Sequence, residues 1–204
     1  MEKFLSLPNE KQTDIINAAL KVFGTNGYKK ASIRDIANTA GISKSMIFHY
    51  FGTKKDMYLF LAQFSGNTLI NEMNTHFNEG ETDFFERIRL ATEIKVSVMR
   101  QHPTILSFLK SIFLETDEEV VQEIKSMMVQ REAFRSRIAL NGIDTSKFKE
   151  GIDPTLVLKM LTWFAEGYVN QIGANAQIDI DDINREFNQC LQMLKQNFYK
   201  EEFL

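Results

Sequence analysis

The chain has 204 residues, of which 44% are hydrophobic and 25% are charged. This balance is typical of a soluble globular protein and argues against a disordered chain. No apolar stretch approaches the ~18 residues that a membrane-spanning helix requires, because Lys159 and Glu166 interrupt the most apolar segment, 156–169. We therefore expect one or two folded domains and no membrane segment.

Charge is unevenly distributed along the chain. Residues 1–55 hold nine Lys or Arg and four Asp or Glu, a net charge of +5. Residues 56–204 hold 15 basic and 23 acidic side chains, a net charge of −8. A basic N-terminal part on an acidic body favours an anion-binding end, although a chance fluctuation can give the same imbalance.

Cysteine and histidine are scarce. Cys190 is the single cysteine, so the chain cannot form an internal disulfide, and a reducing cytoplasm is the expected location. With three His and one Cys, a Cys/His zinc site is not expected. We expect neither a metal nor a cofactor.

Nearly the whole chain has helical periodicity. The three Pro residues fall between periodic segments, and no run of alternating β-branched residues predicts a sheet. A hydroxyl three residues before a carboxylate predicts helix starts at Ser32, Thr53 and Thr116, and glycine predicts stops that include Gly41 and Gly173. The predicted helices are 9–25, 33–39, 43–50, 54–78, 82–101, 103–114, 117–140, 154–172 and 180–199.

The first three predicted helices are short and would share one small apolar core. Helices 33–39 and 43–50 are joined by Ala40-Gly41-Ile42, where glycine can adopt the left-handed conformation that a side chain disfavours. A short helix, a tight turn and a second short helix form the helix-turn-helix pattern. The sequence thus predicts an all-α fold with a helix-turn-helix DNA-binding domain at 1–53 and a larger helical domain at 54–204.

The second helix of this motif has two different faces. Ile47 and Phe51 are four residues apart and mark the inward face, and Ser45 and His49 lie opposite. Side chains on the outer face supply hydrogen-bond donors for base edges and phosphates, and an apolar contact for a thymine methyl group. These outward residues are Lys44, Ser45, Met46, His49 and Tyr50.

Residues 12–58 resemble the DNA-binding domain of TetR-family transcriptional regulators. The matching residues are Ile16, Ala19-Leu20, Phe23, Gly27-Tyr28, Ala31-Ser32-Ile33, Ile36-Ala37, Ala40-Gly41-Ile42-Ser43, Phe48-His49-Tyr50-Phe51, Thr53-Lys54 and Tyr58. The resemblance implies that the second helix reads the major groove and that residues 54–204 bind a ligand and dimerise. It implies base contacts for Arg34, Lys44, Ser45, Met46 and His49, and phosphate contacts for Ser32, Ser43, Tyr50 and Lys54.

Two positions depart from the family pattern. Ser45 stands where the family usually has Gly, and Phe48 stands where it usually has Tyr. Phe48 has no hydroxyl to bond a phosphate, so it is not among the polar contacts. Tyr50 has an alternative role in packing at the edge of the domain.

The last two predicted helices are expected to form the dimer interface. The first is apolar nearly all round, which predicts burial on two sides, and the second carries one apolar stripe. Two such helices from each chain would build a four-helix interface about a two-fold axis, and the alternative is a core pair within one chain. The interface residues are predicted to be Gly167, Phe187, Cys190, Leu191, Leu194 and Phe198.

The same resemblance implies a ligand cavity in the larger domain. Phe and Met suit an adaptable apolar lining, with a few polar groups to orient the ligand. Core packing is the alternative for each apolar side chain, and an ion pair or a helix cap for each polar one. The candidates are His102, Phe108, Phe113, Met127, Met128, Arg131, Phe134, Trp163, Phe164 and Glu166.

The expected function is transcription regulation by a homodimer. A repressor of this kind would bind a palindromic operator in double-stranded DNA and leave it when a small apolar or amphipathic effector binds. An enzyme is not expected, because the chain has no Gly-rich phosphate loop and no GxSxG, HExxH or ExxH motif. The alternative is a helical protein that sequesters a small molecule and binds DNA weakly, which the missing Phe48 hydroxyl favours.

Overall fold

The computed structural model describes residues 1–172 and 179–204, and for 169–172 it describes the backbone alone. Over these residues the chain is all-α, and an isolated antiparallel bridge pairs Phe148 with Tyr199. Short 3-10 helices lie at Thr145–Lys147 and Glu201–Phe203. The α-helices of the described part are α1 (Glu2–Leu5), α2 (Asn9–Lys30), α3 (Ile33–Thr39), α4 (Lys44–Phe51), α5 (Lys54–His76), α6 (Phe84–Gln101), α7 (Pro103–Phe113), α8 (Val121–Leu140), α9 (Pro154–Ile172) and α10 (Ile180–Phe198).

The helix signals in the sequence identify most of these elements. The predicted start at Thr53 is confirmed, because Thr53 Oγ1 accepts the Asp56 N–H at 3.0 Å and Asp56 accepts the Thr53 N–H at 3.1 Å. The predicted start at Thr116 is wrong: Asp117 accepts the Glu119 N–H in a turn, and α8 begins later. The predicted stop at Gly173 lies outside the described residues.

The backbone of α2 breaks at Gly27, close to the predicted end of the first helix. Gly27 has φ of 68°, a conformation that costs glycine little and other residues more. The helical turn that follows carries Tyr28, whose side chain is buried. The break therefore redirects the chain from α2 into the helix-turn-helix.

Packing divides the chain into two compact units. The first unit contains Met1–Thr68 and His102–Met128, and the second contains Leu69–Gln101 and Val129–Leu204. Helices α5 and α8 each contribute to both units. The division of function between 1–53 and 54–204 stays a prediction, because the compact first unit extends beyond the helix-turn-helix and takes in all of α7.

The core of the first unit depends on a close approach of α2 and α7. A Cβ placed on Gly24 would lie 2.9 Å from the backbone nitrogen of Phe108. The Phe108 ring, fully buried, contacts the rings of Phe23 and Tyr58 at centroid distances of 6.3 and 5.3 Å. Helix α7 thus completes the core of α2, α3 and α4. Without α7 that core would be too small to be stable.

The second unit has its own aromatic core. The rings of Phe84, Phe85, Phe148 and Tyr199 pack against one another, and the Tyr199 hydroxyl accepts the Phe84 N–H at 3.1 Å. Nearby, Asp83 accepts hydrogen bonds from two lysines, each at 3.1 Å. The C-terminal segment is therefore fixed to the start of α6.

The contact at Gly24 gives the first prediction. Gly24→Ala places a methyl group against backbone atoms of α7, so it should lower the free energy of unfolding by about 1–3 kcal/mol. The neighbouring Thr25→Ala changes an exposed side chain of the same helix and should stay within about 0.5 kcal/mol of wild type. Urea unfolding measures both; equal effects of the two substitutions would contradict the close approach.

Candidate nucleic-acid interface

The turn between α3 and α4 has the geometry of a helix-turn-helix. Gly41 has φ of 68°, and the Ile42 N–H returns to the Ala37 carbonyl at 3.0 Å. Ser32 caps α3 by accepting the Arg34 N–H at 3.2 Å. The tight turn predicted at Gly41 is thus confirmed, and it fixes the direction in which α4 leaves α3.

Helix α4 has one buried face and one exposed face. Ser43 caps its start by accepting the Met46 N–H at 3.3 Å. Ile47 and Phe51 are buried, as their spacing predicted, whereas Tyr50, which was predicted to face outward, is also buried because α1 packs against it. The exposed side chains of the helix are Lys44, Ser45, Met46, Phe48 and His49.

Helix α1, which was not predicted, packs against the buried face of α4. Phe4 of α1 is fully buried, and its ring lies 4.7 Å from Phe51, 6.3 Å from Tyr50 and 5.5 Å from Phe60, measured between centroids. The signal in the sequence is weak, because a four-residue helix shows no periodicity. In the sequence, the apolar pair Phe4-Leu5 just before Pro8 is the feature that indicates this helix.

The predicted phosphate contacts differ in how free they are. Ser32 and Ser43 each cap a helix, and Arg34, a predicted base contact, is exposed. Tyr50 is 8% exposed, so its ring belongs to the core, and a phosphate contact is left to its hydroxyl. Lys54 Nζ donates to the Lys29 carbonyl at 3.2 Å and lies 4.7 Å from the centre of the Tyr28 ring.

Lys54 therefore lies at the edge of the first unit, with its ammonium group already bound to the protein. Lys55 is also paired, since its Nζ lies 2.6 Å from a carboxylate oxygen of Glu123. The exposed lysine on α4 is Lys44, whose Nζ lies 5.7 Å from the centre of the Phe48 ring. The positive charge that faces outward from the reading helix is thus carried by Lys44.

Glu115 holds the backbone behind the helix-turn-helix and was not singled out from the sequence. One of its oxygens accepts the Tyr28 N–H at 2.9 Å and the Tyr58 hydroxyl at 3.4 Å. The other accepts the N–H groups of Thr116 and Asp117 at 3.0 and 2.9 Å. Burial and this carboxylate both raise the pKa of Tyr58, so its hydroxyl remains a donor.

A family model described as bacterial regulatory proteins of the tetR family matches residues 15–60, which include α3 and α4. Residues 15–60 thus form a DNA-binding domain of the TetR family. The chain is 25% identical over 151 residues to the fatty acid metabolism regulator protein of Bacillus subtilis, covering 74% of this chain and 77% of that protein. It is 23% identical over 181 residues to the transcriptional repressor AcnR of Corynebacterium glutamicum, covering 84% and 87%.

Solved structures share the fold. FadR from Bacillus subtilis in complex with stearoyl-CoA superimposes with a TM-score of 0.67 at 21% identity, covering 88% of this chain and 96% of that one. The ketosteroid regulator KstR2 of Mycobacterium tuberculosis gives a TM-score of 0.68 at 17% identity, covering 96% and 98%. At these identities the likeness supports the TetR fold and leaves ligand chemistry open.

The residues predicted for a TetR-type ligand cavity are distributed over both units. Phe108 is core in the first unit, and Met127 and Met128 pack against the same cluster. His102 is exposed at the start of α7, and Phe113 is partly exposed.

In the second unit Phe134 packs partly buried near Met73, Phe77 and Ile138, and Arg131 is partly exposed. For Phe108, ordinary core packing accounts for the side chain, and the pocket assignment of the others stays a prediction.

Three further pocket candidates lie on α9. Trp163 is 55% exposed and Phe164 49% exposed, and the Lys159 ammonium group lies 4.9 Å from the centre of the indole ring. Glu166 is partly exposed. The two aromatic rings therefore belong to an exposed helix face within this chain.

One predicted dimer residue of α10, Leu191, needs a correction, and the other α10 residues of that set stay predictions. Leu191 is 4% exposed and packs in the core of the second unit, with Phe187, Leu194 and Phe198 packed partly buried against that core. The buried part of the stripe thus packs within its own chain, in the cluster that contains Phe85 and Leu161. Cys190 is partly exposed beside it. Unlike Leu191, Gly167 on α9 is exposed, and a Cβ added to it would have open space around it.

Residues 1–172 and 179–204 were also searched for other kinds of site. No group of three or more His, Cys, Asp or Glu side chains there could hold a metal ion. None of the described helices combines the length and apolarity needed to span a membrane.

The exposed face of α4 gives a prediction that separates base from phosphate contacts. His49→Ala should weaken operator binding by roughly 1–3 kcal/mol per half-site and leave random DNA nearly unaffected. Lys44→Ala should weaken both DNAs and reduce the log–log salt slope by about one unit per half-site. Binding of each variant to operator and random DNA is measured across a salt series.

The control for this series is Lys125→Ala, which removes an exposed charge from α8. It should change neither affinity nor slope. If His49→Ala weakens both DNAs equally and lowers the slope, His49 contacts phosphate and the outward face of α4 has been assigned to the wrong groups.

Proposed function

We propose that this TetR-family regulator is a cytoplasmic homodimer that represses transcription at a palindromic operator. The observation that carries the proposal is the exposed face of α4. Five of its side chains are exposed to solvent, while Ile47 and Phe51 on the opposite face are buried in the core. Lys44, Ser45 and His49 supply donors and acceptors for base edges and phosphates. Met46 and Phe48, each at least 36% exposed, supply apolar contact for thymine methyl groups.

Dimerisation is supported by an apolar face on α9. Four large apolar side chains on one side of this helix, spaced as i, i+4, i+7 and i+8, are between 41% and 55% exposed. Gly167, at i+11, continues the face and leaves room for a close helix contact. A contiguous face of this kind marks a protein interface. Its residues are Leu156, Met160, Trp163, Phe164 and Gly167.

A dimer gives the palindrome its physical reason. Two copies of α4 related by a two-fold axis read the same bases on opposite strands, so the operator repeats the symmetry of the protein. Half-sites one helical turn apart require a separation of roughly 34–36 Å, or a multiple of it, between the two reading helices. Any ligand that favours another separation lowers operator affinity.

We propose a small apolar or amphipathic effector that binds the second unit. The FadR relative with known structure is in complex with stearoyl-CoA, which supports an amphipathic ligand here. Helices α5 and α8 belong to both units, so a ligand bound in the second unit acts on helices that continue into the first. The coupling of two sites through such a shared element is typically about 1–3 kcal/mol, or 5–150-fold in affinity.

A sequestering protein with weak DNA binding is the second candidate, and Phe48 is the observation in its favour. An exposed Phe cannot donate a hydrogen bond to phosphate, so each half-site lacks one contact that the family usually has. Binding to DNA decides between the two functions. A repressor binds one sequence far more tightly than random DNA, whereas a sequestering protein does not.

The operator is the test of the proposed function. We expect selection from a random duplex library to recover a palindromic sequence that the protein prefers to random DNA by about 10³-fold or more. Addition of an effector should lower operator affinity by about 5–150-fold. Recovery of no preferred sequence would contradict the repressor and favour sequestration.

The interface is tested by substitutions on two faces of the C-terminal helices. Trp163→Glu puts a charge in the proposed α9 interface and should give a folded monomer. Leu191→Glu buries a charge in the core of one chain and should unfold the second unit. Sedimentation gives the mass of each variant and circular dichroism its helix content.

A matched control is Val129→Glu, which makes the same type of change at an exposed apolar residue of α8. It should remain a dimer. If Trp163→Glu also remains a dimer, the exposed face of α9 is not the interface.

A further inference from the structure

Helix α6 presents a lysine on its inward face. The side chains of Phe84, Ile88, Ala91 and Val98 are buried, and their spacing of 4, 3 and 7 residues defines one stripe. Lys95 occupies the position between Ala91 and Val98 in this stripe, four residues after the first and three before the second. A charged group at such a position is costly unless something compensates it.

Two turns earlier on the same helix, a buried cation is fully compensated. The Arg87 guanidinium donates to the carbonyls of Ile138, Glu79 and Glu81 at 2.8, 3.1 and 2.5 Å, and it lies over the Phe77 ring. Its role is to fix the chain around the start of α6. Lys95 has no such set: among the described residues, no carboxylate or carbonyl lies within bonding distance of its Nζ.

The register of α6 against α8 shows what faces Lys95. Arg87 bonds the carbonyl of Ile138, and Ala91, one turn along α6, clusters with Phe134, one turn back along α8. The two helices are therefore antiparallel at this point. The next turn of α6 carries Lys95, and the charge that neighbours it on α8 is that of Arg135.

The environment of Lys95 is positive and enclosed. Burial lowers the pKa of Lys95, and the neighbouring charge of Arg135 lowers it further. The residue nevertheless keeps part of its surface accessible.

We propose that Lys95 binds the anionic headgroup of an amphipathic ligand in the second unit, with Arg135 supplying positive potential beside it. Apolar side chains on the preceding turns of both helices, Leu90, Ile94 and Phe134, would receive the apolar part of the molecule. An anion removes the repulsion between the cations and restores the hydrogen bonds that the ammonium group lost on burial. The inference rests on the effector site of the proposed function and narrows its ligand to an anion with an apolar chain.

This assignment changes the chemistry expected from Glu166. That carboxylate, considered alone, favours a cationic or hydroxylated ligand. Lys95 on α6 and Arg135 on α8 are two neighbouring positive charges, whereas Glu166 is a single negative one. An acidic headgroup, either a carboxylate or a phosphate, is the chemistry that the two cations recognise.

The test measures direct binding of three probes to the full-length protein without DNA. The probes are hexadecanoate, its neutral analogue 1-hexadecanol, and hexadecanoyl-CoA, which carries its negative charges on phosphates. Lys95→Met keeps the length of the side chain and removes the charge. It should weaken binding of the preferred anion about tenfold or more, as expected for a lost charge-assisted hydrogen bond, and leave 1-hexadecanol unchanged.

The control and the stability of the variant keep the test decisive. Lys125→Met removes an exposed charge of α8 and should bind all three probes as wild type does. Lys95→Met should unfold at a temperature equal to or above that of wild type, since an uncompensated cation is removed. A melting temperature well below wild type would show that Lys95 is structural and would overturn the proposal.

The two anions distinguish the source of the charge. Loss confined to hexadecanoate assigns Lys95 to a carboxylate, and loss confined to hexadecanoyl-CoA assigns it to a phosphate. Equal loss for 1-hexadecanol, or failure of wild type to bind either anion, overturns the proposal. Operator binding is measured separately, so a protein that binds DNA but no anion refutes this site alone, and one that binds the anion but no operator refutes the repressor alone.

Discussion

The close approach of α2 and α7 at Gly24 is the constraint on which the organisation of the chain depends. Because no Cβ separates the two backbones there, Phe108 can reach Phe23 and Tyr58 and fill the core under the helix-turn-helix. Three short helices alone bury too little apolar area to be stable. The DNA-binding part of this protein is consequently a larger unit, completed by residues 102–128 from the middle of the chain.

This arrangement also decides which contacts can transmit a ligand signal. The Lys55–Glu123 ion pair is partly exposed, and such pairs contribute about 0–1 kcal/mol. Glu115 is the stronger link, because a carboxylate that accepts hydrogen bonds contributes about 1.5–3 kcal/mol for each well-formed one. It bonds Tyr28 behind the helix-turn-helix and Tyr58 on α5. A shift at the end of α7 would therefore displace the hydrogen-bond partner of both Tyr28, which precedes α3, and Tyr58, which follows α4.

Local signals in the sequence were sufficient for the reading helix, and they failed where the partner of a surface had to be known. Gly41, Ser43 and the Ile47–Phe51 spacing are each interpretable within a few residues, and the turn, the cap and the buried face all follow from them. Phe4 and Glu115 act through contacts with residues far along the chain, which no local pattern reveals. The apolar stripe of α10 shows the same limit, since periodicity predicts that Leu191 is covered and cannot say whether by its own chain or by a second one.

Lys95 and Arg87 show how the structure separates a supporting charge from a binding one. In the sequence both are basic residues on an amphipathic helix. In the fold, backbone carbonyls satisfy Arg87, whereas Lys95 meets the positive charge of Arg135. Helix α8 carries Arg135 in the second unit and Glu123 in the first. An anion held at Lys95 would relieve repulsion from Arg135 on α8. The other end of α8 bonds Lys55, beside the reading helix, so a ligand at Lys95 could influence DNA binding.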